Sequence, residues 1–178
     1  MRTFLAIDIP NNIRQDIIVQ TAQLRKDYPN FNWVPSENFH ITVHFIGDIP
    51  SDKLDIVSEH IERTIFDIQP TYVYAHQADL FIYKSITAYI GMKQNKTLSM
   101  LNKRFVELFE DKKEEYKPHI TLAKWKIPSK QQYFHLKKKL QNLPIEIEFP
   151  VTEIHLYESI SKPKNPEYNI IKSFKLEE

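Results

Sequence analysis

The feature that most constrains this chain is a recurrence. One order of elements (strand, helix, strand, helix, strand) runs from residue 3 to residue 75 and again from 86 to 149. In the first pass, residues 3–9 alternate apolar and β-branched side chains and predict a strand. Asn11 or Asn12 can cap a helix carrying Ile13, Ile17, Ile18, Ala22 and Leu24, ending near Tyr28-Pro29-Asn30. Residues 38–47 predict a second strand. Ser51 caps a helix with Leu54, Ile56, Val57, Ile61 and Ile65, and residues 71–75 predict a third strand. The second pass places strands over 86–90, 119–125 and 145–149. Helices fall over 97–108 and from Ser129 to about residue 140. Little residue identity accompanies the repeat. A last strand pair, over 153–157 and 168–174, flanks the proline-bearing loop of residues 161–166. No low-complexity linker divides the 178 residues, so the expectation is one domain, 1–178, built of two lobes.

The middle strand of each pass carries the same motif: Phe39-His40-Ile41-Thr42-Val43-His44-Phe45 and Pro118-His119-Ile120-Thr121-Leu122-Ala123-Lys124. Residues two apart on a strand share a face. His40 and Thr42 therefore share one face, with Ile41 and Val43 on the other, and His119 and Thr121 repeat the arrangement. By the same alternation His44 falls on the His40 face. With 7 histidines in 178 residues, one H-x-T is unremarkable. Two copies in the same slot of a repeated order are a constellation. An imidazole is the side chain whose ordinary pKa suits both general acid and general base near neutrality. A pair can open a cyclic phosphodiester, one ring taking a proton from water and the other giving one to the departing ribose oxygen. The hydroxyls of Thr42 and Thr121 suit the non-bridging oxygens, and Lys124 is the nearest cation for charge developing on phosphorus.

The net charge of +1 advertises no nucleic-acid or membrane surface, so any attraction for phosphate must be local. Absence of cysteine excludes disulfides, thiolate catalysis and cysteine-ligated zinc. With only Gly47 and Gly91, the chain lacks a P-loop or dinucleotide fingerprint. Asp8 and Pro10 interrupt any signal-peptide apolar segment, and no stretch approaches the roughly 20 apolar residues of a membrane span. A cytoplasmic location is the expectation.

The motifs, together with the opening MRTFLAIDIP, the segments FHITVHFIG and PHITLAK, and the late IHLYES, resemble the 2H phosphoesterase superfamily over essentially the whole chain. Within it the resemblance runs to LigT/ThpR-type RNA 2′,3′-cyclic phosphodiesterases, the 2′-5′ RNA ligase family. The resemblance implies an α+β bilobal fold: two pseudo-symmetric lobes with largely antiparallel sheets around a central cleft, helices outside, no metal and no cofactor. It further implies His40 as proton donor to the leaving O3′ and His119 as the base on water, with a 2′-phosphomonoester as product. Thr42 and Thr121 would bind the phosphate. The implied partner is an RNA with a 2′,3′-cyclic phosphate end or a small cyclic nucleotide, acted on by a monomer away from membranes. Reverse 2′-5′ joining is open by microscopic reversibility. The family often has Lys or Arg where this chain has His44, and Arg where it has Lys124, which keeps the charge but not the guanidinium fork. Two other readings are a 2H enzyme for a small cyclic-phosphate metabolite and a non-catalytic RNA-end-binding module.

Further candidates are weaker. His40 and His44 could chelate zinc, but no third ligand with recognisable spacing follows. His44 and Tyr157 are candidate substrate contacts. Trp33, Phe45, Tyr83 and Tyr157 are the aromatics available to stack a base, with core packing as their ordinary role. Lys112-Lys113 and Lys137-Lys138-Lys139 read as solvated helix faces. Lys162 and Lys164 are the better candidates for a phosphate backbone. His60, His76, His135 and His155 show no partner pattern.

Overall fold

A computed structural model describes residues 1–112, 114–126 and 129–177. Lys113 of the first lysine run, and the burial of the His76 side chain, lie outside this description. In chain order the elements are β1 (Arg2–Asp8), α1 (Asn11–Gln20), α2 (Ala22–Asp27), β2 (Asn32–Trp33), β3 (His40–Asp48), α3 (Leu54–Ile65) and β4 (Thr71–Ile82). Then follow β5 (Ile86–Met92), α4 (Lys96–Leu108), β6 (His119–Trp125), α5 (Lys130–Gln141), β7 (Ile147–Val151), β8 (Glu153–Ile160) and β9 (Glu167–Lys175).

Local chemistry explains the boundaries, including those that differ from the sequence expectation. Ser129 caps α5 with a reciprocal capping box to Gln132, as expected. Asn95 caps α4 by accepting from the Leu98 amide at 3.0 Å. Ser51 caps no α-helix: it opens a short 3-10 turn after Pro50, and α3 starts at Leu54. The predicted first helix is two helices. It breaks at Thr21, whose hydroxyl turns back onto the Ile17 carbonyl at 2.7 Å. β4 runs seven residues beyond the predicted 71–75, because a register shift between Ala75 and Gln77 disrupts the alternation that marks a strand.

All ladders are antiparallel and form one curled sheet in the order β7-β4-β5-β6-β3-β1-β8-β9, with β2 also on β6. Along this path the sheet has two four-stranded halves, β7-β4-β5-β6 and β3-β1-β8-β9, joined among the described residues by a single ladder pair, Ile41↔Ile120. The halves are not the two passes of the sequence. The last strand of the first pass, β4, turns tightly into β5 and so pairs in the second half. The first half is completed by β8 returning to β1. Helix α4 packs on β3 and α3, and α5 on β4. A shared core including Phe39, Ile41, Leu101, Phe105, Ile120 and Leu156 runs through both halves. A small cluster of Phe4, Ala6 and Tyr157, with Tyr168 against it, lies on the other face of β1. Among the described residues, no helix is long and apolar enough to cross a membrane.

Candidate active site

The joint between the halves places the two motifs side by side. With Ile41 opposite Ile120 in an antiparallel pair, the register runs His40 towards Thr121 and Thr42 towards His119. The two imidazoles are held alike. His40 Nδ1–H donates to the Asn38 carbonyl at 2.8 Å, and His119 Nδ1–H donates to the Lys117 carbonyl at 2.7 Å. Each bond reaches two residues back along the chain and fixes the tautomer that leaves Nε2 unprotonated. His40 Nε2 lies 3.1 Å from the Thr42 hydroxyl. Both rings open on one cleft of about 580 Å³, which Thr42, Thr121 and Lys124 also line.

Aromatic rings repeat the symmetry. Phe4 packs on His40 at 5.1 Å and is itself stacked on Tyr157, while Phe81 meets His119 edge-on at 5.1 Å and is stacked on Tyr89. Tyr168 and Tyr89 contribute T-shaped contacts to His40 and His119 respectively. None of Phe4, Phe81, Tyr89 or Tyr168 was singled out by the sequence, because their strands carry no motif.

Lys124 reaches the cleft through a bulge. Along β6 the pairing with β5 passes from Tyr89↔Thr121 to Ala88↔Ala123, leaving Leu122 as an extra residue. Along β3 the pairing with β1 passes from Ala6↔Thr42 to Leu5↔His44, leaving Val43 extra. An extra residue reverses which face follows it. Hence Val43 and His44 are both buried, as are Leu122 and Ala123, while Phe45 and Lys124 return to the cleft side. The backbone freed at each bulge is satisfied. Asn102 Nδ2 donates to the Val43 carbonyl at 2.9 Å, and the Val34 amide donates to the Leu122 carbonyl at 2.9 Å. The Tyr116 hydroxyl adds a 3.0 Å bond to the Thr42 carbonyl. Asn102→Ala orphans the Val43 carbonyl and is expected to cost about 1–3 kcal/mol, read from urea denaturation. An unchanged midpoint would show that the bulge needs no side-chain anchor.

The bulge corrects the expected placement of His44. Its ring lies on the face opposite His40, 6% exposed, stacked on Phe109 at 5.4 Å, with Nε2 3.1 Å from an Asp111 carboxylate oxygen. It borders an adjoining groove rather than the cleft, and cannot share a ligand with His40. Tyr157 is corrected likewise. It is buried beneath Phe4, its hydroxyl donating to Asp8 at 3.3 Å, and Tyr168 faces the cleft instead. Of the other aromatic candidates, Phe45 lines the cleft and is 66% exposed. Trp33 is covered by Arg25 at 4.6 Å, and Tyr83 projects from the β4–β5 turn. Lys162 lines the cleft. His155 is buried and bonded to Ser173 at 2.8 Å. Asp8, the cross-strand neighbour of His40, is paired with Arg14, which also donates to the Ile9 and Ser36 carbonyls.

Burial dominates the electrostatics. It holds His40 down to about 4, helped by the neighbouring His119 and Arg14 and opposed by the Asn38 carbonyl and Asp8. Burial also lowers His119, opposed by the Lys117 carbonyl and assisted by Lys124. His44 is lowered by burial against the pull of Asp111. A histidine lowered in the folded state binds fewer protons than in the unfolded chain, so stability is lost as pH falls. For His40 the loss falls between pH 6.5 and about 4 and is on the order of 3 kcal/mol; above pH 6.5 it contributes no slope. Denaturation at pH 7.5 and 4.5 should therefore show wild type losing more stability than His40→Gln. Equal losses would contradict a depressed His40.

One cleft is thus lined by two tautomer-fixed histidines, each on an H-x-T-x strand of a two-half antiparallel sheet. The sequence model of the 2′-5′ RNA ligase superfamily matches residues 10–162, and the chain belongs to that family. The RNA 2′,3′-cyclic phosphodiesterase of Methanocaldococcus jannaschii is 30% identical over 180 residues, covering 98% of this chain and 100% of the relative. The protein of the same name from Thermotoga maritima is 24% identical, covering 96% and 93%. Among solved structures, TT0787 of Thermus thermophilus superposes with a TM-score of 0.78 at 22% identity, covering 99% and 98%. E. coli LigT in apo form gives 0.74 at 22% identity with the same coverage.

Proposed function

We propose that this chain hydrolyses the 2′,3′-cyclic phosphate end of RNA to a 2′-phosphomonoester, using His40 as acid and His119 as base and no metal. The observation that carries this reading is the matched pair of Nδ1–H bonds to carbonyls two residues upstream. They free both Nε2 atoms for one cleft that also holds two threonines and a lysine. The relatives named as RNA 2′,3′-cyclic phosphodiesterases support the substrate class.

In this reaction His119 Nε2 takes a proton from water as the water oxygen bonds to phosphorus. The P–O3′ bond breaks, and His40 Nε2–H gives its proton to O3′. The Thr42 and Thr121 hydroxyls donate to the non-bridging oxygens, and Lys124 offsets their growing charge. His119, next to Lys124 and low in pKa, is neutral and ready as a base. His40 is neutral in the empty cleft and must gain a proton to serve as acid. The phosphate anion supplies the reason, since a negative charge beside a partly buried imidazole favours its protonated form. After turnover the pair has exchanged protonation states and resets through solvent.

The test is incubation of purified protein with a short RNA bearing a 2′,3′-cyclic phosphate, in EDTA, with chromatographic separation of 2′- and 3′-monophosphate. Accumulation of the 2′-monophosphate is expected. A 3′-monophosphate, a requirement for added metal, or an unopened ring would each overturn the reading.

A further inference from the structure

The loop between β8 and β9, residues 161–166, forms part of the cleft wall, and Ser161, Lys162, Asn165 and Pro166 face the cavity. Two asparagines from the opposite side of the chain pin it. Asn32 Nδ2 donates to the Lys164 carbonyl at 3.2 Å, and Asn38 Nδ2 donates to the Pro166 carbonyl at 2.7 Å. Both anchors belong to the reaction centre. The carbonyl of Asn38 holds the His40 ring, and Asn32 is the cross-strand partner of Lys124. The loop is therefore fixed in place relative to the phosphate-handling residues.

Charge in the cleft is one-sided. Arg2, Lys124 and Lys162 line it, and among the described residues no carboxylate does, although the whole chain carries only +1. The adjoining groove is different: Asp111, Glu114 and Glu115 offset Lys112 and Lys117. A polyanion is thus favoured along the cleft and not along the groove. The chemistry proposed above uses Lys124 and leaves Arg2 and Lys162 without a task. Lys162 sits 3.4 Å from Glu167, but both are about half exposed, at 51% and 53%, so the pair yields readily to a phosphate.

We infer that the pinned 161–166 loop, through Lys162 and together with Arg2, forms a second anion position. It takes the phosphodiester that joins the terminal nucleotide to the rest of an RNA. This rests on the phosphodiesterase reading and makes it narrower: the site reads the end of a chain, and a free cyclic mononucleotide fills only part of it. The contact is to a phosphate, so it is indifferent to base sequence and weakens with salt.

The experiment compares a dinucleotide ending in a 2′,3′-cyclic phosphate, the same dinucleotide with a neutral methylphosphonate linkage, and a cyclic mononucleotide without a 5′-phosphate. In wild type the charged dinucleotide should have a kcat/KM at least tenfold above the other two, mainly through KM, with the advantage shrinking as salt rises. Lys162→Ala and Arg2→Ala together should remove that advantage and leave the mononucleotide within twofold. Equal wild-type values for the charged and neutral dinucleotides would overturn the inference, as would a double variant that lowers all three substrates alike. Calorimetric binding of the product-like dinucleotide and mononucleotide 2′-monophosphates gives a readout independent of turnover. If no ring is opened but the charged dinucleotide still binds tenfold more tightly through Lys162 and Arg2, the hydrolysis reading fails and the anion position stands. Equal binding overturns the anion position.

Discussion

Alanine in place of His40 or His119 lowers kcat on a 2′,3′-cyclic phosphate by about 10²–10⁴ in either case, the range expected when a positioned general acid or base is lost. Both rings are held by backbone carbonyls and are only partly buried, so circular dichroism should be unchanged. The double variant should be little slower than either single one, because the two groups act in one transition state. The roles separate with a substrate in which sulfur replaces the bridging 3′ oxygen. A thiolate leaves without needing a proton, so this substrate should recover most of the rate in His40→Ala and none in His119→Ala. Recovery in His119→Ala instead would exchange the two roles. Recovery in neither would remove His40 as the donor.

The second large effect concerns the seam. Ile41 and Ile120 are both fully buried and form the only ladder pair between the halves of the sheet among the described residues. Truncation of either to alanine removes three buried carbons and leaves a void against a shared core, at a cost of about 2–5 kcal/mol. That is a large share of the roughly 5–15 kcal/mol that holds a domain folded. The two changes are in contact, so their combined cost should fall short of the sum. Urea denaturation of the two single variants and the double variant measures this. Strict additivity would mean that the halves are coupled elsewhere.

The motif residues were legible because the chemistry and the strand pattern coincide in them: His40, Thr42, His119 and Thr121 alternate with Ile41 and Ile120. What followed each motif was not legible. Alternation placed His44 beside His40 and would turn Lys124 away from His119. The extra residues Val43 and Leu122 reverse both assignments. Nothing in an apolar valine or leucine announces a bulge. The anchors are remote, Asn102 on α4 and Val34 beside β2, and β2 itself is two residues long, too short for any periodicity. Only the second motif breaks alternation in the sequence, at Leu122-Ala123, whereas residues 39–45 alternate throughout, so half of the signal was absent. The exchange of β4 into the second half was hidden for another reason. A repeated order of elements says which strands exist and not which of them pair.

The twin bulges put Phe45 in β3 where β6 puts Lys124. A cleft with two equivalent halves would accept a cyclic phosphate in two poses related by a half-turn. One presents the leaving oxygen to His40 and the other presents it to His119. Replacing a cation by a phenyl ring on one side makes those poses unequal. The charged oxygens favour the lysine side, while the phenyl ring offers a surface for an apolar or aromatic part of the ligand. In the proposed chemistry, a nearly symmetrical scaffold thus acquires a direction of reading from a single pair of unlike residues.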